Sequence, residues 1–258
     1  MSTLSRTRTL PKFASPDRTL SVGLETNGLG FLGFIVELPG AYVRGKTEKE
    51  ALSKVHTEAT AYWRWARKTV EPPTEVLVAQ RHHCKLQVED ADCEILLDAD
   101  RGVVSQAEFS SLVNLANYSG ETFSRIYKVS ELKDWVDIAR IRMTFWGEAP
   151  KTVREIFEHV NRTQNYYVSR AGLTTEESAS NSFLARRLRC LERLEDLFGQ
   201  TGNSTIFNVS DEEWTLKKIL RRFIWHDRIH GKSIHRILHK QVDLGLIGMV
   251  RDPFRFDS

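Results

Sequence analysis

The chain has 258 residues, a formal net charge of +3, 41% apolar residues and 28% charged residues, the balance of a globular protein that can bury a core without disulfide staples. The charge is too mild to demand nucleic acid, and no run approaches the roughly 18 apolar residues of a membrane span. Cys84, Cys93 and Cys190 are odd in number and scattered, which argues against a secreted disulfide framework. The basic N-terminus lacks the apolar run of a signal peptide, so the expected setting is the cytoplasm.

Residues 1–17 read as a flexible arm and residues 18–90 as a small α+β module. "TLSVGLETN" and "FLGFIVELPG" are β-branched and aromatic runs split by Asn27–Gly28, the signature of a hairpin. "AYVRG" continues as a third strand after Pro39–Gly40. Thr47 with Glu50 three residues later predicts a capped helix from Glu48 to about Lys68, stopped by Pro72–Pro73. "TEVLVAQRHHCKLQV" then returns to extended chemistry, giving the order β-β-β-α-β.

The stretch "GFIVELPGAYVRGKTEKEAL" resembles the HicB antitoxin family through Gly33, Phe34, Leu38, Pro39, Gly40, Gly45, Thr47, Glu50, Ala51 and Leu52. The resemblance covers about residues 18–80. It implies a fold similar to double-stranded-RNA-binding domains and a role in binding a partner (a toxin, an RNA or a second copy) rather than catalysis.

Residues 91–245 are helical in pattern, with helices predicted near 106–128, 152–170, 178–199 and 211–240, and residues 246–258 as a C-terminal tail. Ser210 and Glu213 are spaced as a capping box for the last helix. Four such helices predict an all-α four-helix bundle. "DWVDIARIRMTFWGEAP" alternates like a strand but suits an irregular crossover equally.

The last helix carries two H-x-x-x-H pairs, His226/His230 and His235/His239. On a wheel of ~100° per residue, Leu216, Ile219, Leu220, Phe223, Ile234, Ile237 and Leu238 share one arc. His226 and His230 lie in or beside it, whereas His235 and His239 fall opposite and read as a solvated face. The first pair is therefore either two hydrogen-bonded core histidines or two metal ligands. His159, at the edge of the stripe Val153–Ile156–Val160–Tyr167, can supply a third ligand from across the bundle.

"TVREIFEHVNRTQNYYVSR" followed by "EEWTLKKILRRFIWHDRIH" resembles the DinB family of four-helix-bundle proteins, and "LLDADRGVVSQAEFSSLVNLANYSGETFSRI" resembles the entry to its first helix. The match spans about residues 92–240. It implies a divalent metal, zinc or nickel, on His159, His226 and His230. It further implies thiol transfer with a low-molecular-weight thiol cosubstrate, hydrolysis being the other chemistry such an ion supports, and dimerisation as in some relatives. Several relatives have Glu between the paired histidines or after the first one in the second helix, where this chain has Asp227 and Asn-Arg-Thr-Gln. Asp227 is the candidate carboxylate to orient an imidazole, with Tyr167 and Phe223 as pocket lining beside a small-molecule substrate. The alternative is a non-enzymatic binding or regulatory protein with a structural metal.

Other motifs weigh less. "HDRIH" departs from the zinc-protease H-E-x-x-H because Asp retracts the general base by a methylene. The adjacent His82 and His83 point to opposite sides of a strand and cannot easily grip one ion. Cys190 lies in an apolar stripe and reads as an inert core thiol.

Overall fold

A computed structural model describes residues 19–66, 75–174 and 182–256. β1 (Thr19–Thr26) and β2 (Phe31–Ile35) form the hairpin expected at Asn27–Gly28. Asn27 Oδ1 accepts from the amides of Leu29 and Gly30, and Gly28 adopts φ +88°, a conformation that favours glycine. β3 (Tyr42–Gly45) pairs with β2. At the turn before it, a Cβ on Gly40 would lie 2.5 Å from Ile224 Cγ2. Glycine thus lets this turn press against the last helix.

Thr47 caps α1 (Glu48–Leu52), accepting from the Glu50 amide at 3.1 Å. The single helix expected to about Lys68 is instead broken at Ser53–Lys54, and α2 runs Val55–Trp65. Ser53 Oγ donates to the Glu50 carbonyl, and Lys54 Nζ reaches the Arg44 carbonyl and Glu50 Oε1. These local bonds compete with helix continuation. The predicted end near Lys68, the Pro72–Pro73 stop and the arm over 1–17 lie outside the described residues.

β4 (Glu75–His83) pairs in parallel with β1, giving the sheet order β3-β2-β1-β4. Leu20, Val22 and Leu24 face α2 through Val55, Ala59 and Tyr62. The opposite face, with Leu32 and Phe34, packs on Cys84, Cys93, Ile95, Leu97 and Trp225.

α3 (Gln106–Val129) follows. The ambiguous stretch after it is mostly irregular, but two-residue strands β5 (Met143–Thr144) and β6 (Gly147–Glu148) present Phe145 and Trp146 at an exposed tip. α4 (Val153–Ser169) and α5 (Phe183–Thr201) come next. β7 (Phe207–Val209) and β8 (Glu212–Trp214) make a small hairpin before α6 (Leu216–Asp243). The expected start of that last helix is corrected. Ser210 has φ +55° in the β7–β8 turn, and Thr215 is the cap, accepting from the Lys218 amide at 3.1 Å.

α6 packs on α3 and α4, and α5 packs on the same two helices. The N-terminal sheet adds a second wall to α6: Trp225 sits edge-on to Phe34 and Tyr42. Arg228 and Lys232 donate to Glu58 of α2 at 2.7 and 2.6 Å. One continuous apolar core links sheet, α2 and the long helices. The architecture is thus mixed α+β, an N-terminal four-stranded sheet followed by helices.

The segment after α6 folds back over that helix. Phe254 is fully buried, and a Cβ on Gly231 would meet its ring at 2.6 Å. This overturns the solvated-face reading of His235, which is only 7% exposed, 3.7 Å from Asp252 and beside the Phe256 ring. His239 is exposed, as expected. Among the described residues, no helix is long and apolar enough to cross a membrane. All three cysteines are free and buried, Cys190 in the main core as its stripe predicted.

Candidate metal centre

α4 is fixed at its start by a capping box, Thr152 Oγ1 accepting from the Glu155 amide and Glu155 Oε2 from the Thr152 amide. Its buried stripe of Val153, Ile156, Val160, Gln164 and Tyr167 turns the helix so that His159 sits at the rim. On α6 the four-residue spacing stacks His226 and His230 on one face, with ring centroids 4.4 Å apart. His159 reaches across, its centroid 5.0 Å from His226 and 4.7 Å from His230.

The three rings offer nitrogens that all lie within 4.8 Å of one another. His159 Nε2 and His226 Nε2 are 3.1 Å apart. Two imidazole nitrogens on one tetrahedral zinc would be separated by about 3.4 Å, from Zn–N lengths of about 2.0–2.1 Å. The spacing therefore suits a shared cation with little adjustment. His226 is buried, and His159 and His230 are partly buried.

All three imidazoles are held neutral. Burial, then His230, His159, Arg222 and Arg187, keeps His226 well below the usual histidine value. Burial and His159 bring His230 down to about 3, and burial with Arg162 lowers His159. A neutral imidazole has a free lone pair, the form a metal requires. The donor set fits a borderline divalent ion such as zinc or nickel.

Tyr167 stands edge-on to His226 at 5.6 Å, and Phe223 packs behind Tyr167 at 5.4 Å. Arg222, one turn before His226, lies over the rings of Tyr167, Trp214 and Trp225. Asp227 does not orient an imidazole, contrary to expectation. It points away from the histidines and pairs with Arg187 through two bonds of 2.8 and 2.9 Å.

Arg187 is the residue the sequence reading missed. It also donates to Gln164 Oε1 and the Ala116 carbonyl, both at 2.7 Å. One buried guanidinium thus ties α3, α4, α5 and α6 together beside the triad. A Cβ on Gly120 would lie 2.8 Å from Arg187 Nη1, so glycine makes room for the clamp. An Arg seven residues before the apolar stripe's Leu194 was the only sequence signal, and it reads equally well as surface.

No protein-family model, curated protein or solved structure matches the chain.

Proposed function

We propose that this chain is a DinB-like metalloprotein in which His159, His226 and His230 hold one divalent ion, zinc or nickel, for thiol transfer or hydrolysis. One observation carries the reading: three neutral imidazoles from two helices converge, with ligand nitrogens within 4.8 Å of one another. When bound, such an ion supplies a Lewis acid that favours the anionic form of a water or thiol near neutral pH.

The chain's own residues then set binding and orientation. The Arg187–Asp227 clamp fixes the rotation of α6, and with it His226, against α4. Tyr167 closes the apolar wall beside His226 and excludes water there. Arg162 and Arg222 add positive potential around the triad, which favours an anionic cosubstrate such as a thiolate over a cationic one. The HicB-like module is proposed to hold a protein or RNA partner; because its sheet faces and α2 are largely committed to the core, that partner would meet the exposed side chains along β4.

The test is a panel of low-molecular-weight thiols with activated electrophiles, and of ester and amide substrates, run with and without chelator. Turnover that chelation abolishes and zinc or nickel restores is expected. A chain that holds its metal yet shows no chelator-sensitive turnover across the panel would overturn the enzymatic reading and leave the metal a structural role.

A further inference from the structure

A second cluster of metal-ligating groups lies on the far side of the sheet from α2, and its origin is local. On β1, Gly23 and Glu25 face away from α2, because Glu25 pairs with Leu32 and Gly23 with Phe34 on that side. A Cβ on Gly23 would lie 2.2 Å from Leu97 Cδ2. Glycine there lets the 93–97 segment lie flat on the sheet, and that contact carries Glu94 over Glu25. The Glu94 and Ile95 amides both donate to Glu25 Oε1, at 2.8 and 3.2 Å.

The end of β4 completes the cluster. The Cys84 amide donates to the Thr26 carbonyl at 3.0 Å, which brings the Cys84 thiol to Glu25. A carboxylate oxygen of Glu25, the Cys84 sulfur and a carboxylate oxygen of Glu94 lie within 4.8 Å of one another. His82 Nε2 is 3.0 Å from Glu94 Oε1. His83, its neighbour, turns to the Thr26 carbonyl instead, as strand alternation requires.

A second observation points to a ligand. Glu25 is completely buried, and no N–H or O–H group donates to its Oε2; the weakly donating Cys84 thiol is the side-chain partner of its carboxyl. A buried carboxylate oxygen left unpaired is costly. His82 and Glu94 are each about one-third exposed, so the cluster has an entrance. Two carboxylates and a thiolate carry three negative charges, which a dication and the nearby Arg222 guanidinium would balance.

We infer that Glu25, Cys84 and Glu94, with His82 at the entrance, form a second cation site for a borderline divalent ion such as zinc or cobalt. Sulfur, oxygen and nitrogen donors together suit such ions better than magnesium or calcium. Binding deprotonates the thiol, whose proton leaves to solvent. Arg222 donates to the Cys93 carbonyl at 2.9 Å and also meets the Cys93 sulfur, which sets Cys93 apart as that arginine's partner rather than a ligand.

Cobalt(II) titration of the full chain tests this separately from the histidine triad, because the triad contains no sulfur. The expected result is a thiolate-to-cobalt charge-transfer band, saturating at one ion per chain where the triad has been removed. It persists in His159→Ala/His226→Ala and in Cys93→Ser/Cys190→Ser, where Cys84 is the sole thiol. It disappears in Cys84→Ser, and in Glu25→Gln cobalt binds at least about ten-fold more weakly. Absence of the band from the wild type or from Cys93→Ser/Cys190→Ser would overturn the inference, as would a band that survives Cys84→Ser.

Discussion

α6 carries two histidine pairs with identical spacing, and they meet different surroundings. His226 and His230 face a third histidine on α4, and the charges acting on His226 include those of Arg222 and Arg187. His235 instead meets the returning C-terminal segment, through Asp252 and Phe256, and its ring lies 4.2 Å from that of the exposed His239. Spacing places two imidazoles on one face, but the elements packed on that face decide their chemistry. The neutral, cation-flanked trio has the geometry of the proposed ligand set, whereas His235 packs beside a carboxylate and an aromatic ring.

Several variants sharpen or break this contrast. The largest loss is expected for Asp227→Asn, which leaves the buried Arg187 uncompensated beside the first pair. About 3–5 kcal/mol should be lost in urea denaturation. Phe254→Ala removes the ring that seals the second half of α6 and should cost about 3 kcal/mol, at the low end because the returning segment can relax. Metal content should be unchanged in that variant.

Glu58→Gln, between the two pairs, should cost about 2–3 kcal/mol at pH 7 by weakening the bonds from Arg228 and Lys232. Its pH dependence has a definite sign. Burial raises the Glu58 carboxyl, but Arg228 and Lys232 outweigh this and hold it below its ordinary value of 4.5. The folded chain then binds fewer protons than the unfolded one, so this stability is full above about 4.5 and fades as pH falls further. The gap between wild type and Glu58→Gln in denaturation midpoints should therefore narrow in acid. His235→Ala should cost about 1 kcal/mol and leave bound metal untouched. Loss of metal in that variant would erase the contrast.

Features written in a few neighbouring residues were legible in the sequence. Asn27–Gly28 specifies its hairpin, Thr47 its cap, and the periodic stripes all four long helices. The converging histidines were legible too, since each sits beside a core stripe. What failed was non-local or mimicked a local signal. Ser210 and Glu213 have capping-box spacing but lie in the β7–β8 hairpin, Ser210 in its turn and Glu213 on β8, and the cap falls to Thr215. A helical wheel knows only its own helix, so it could not anticipate that Phe254 and Asp252 would cover His235. The Arg187–Asp227 pair spans 40 positions, and the Glu25–Glu94 contact spans 69. Neither separation has a period to detect.

The central claim is most directly tested by zinc stoichiometry in the Cys84→Ser background, where the triad is the ligand cluster left intact among the described residues. One ion per chain is expected there, none after adding His159→Ala, and one after adding His235→Ala instead. Equal zinc with and without His159, or zinc lost with His235, would contradict the account.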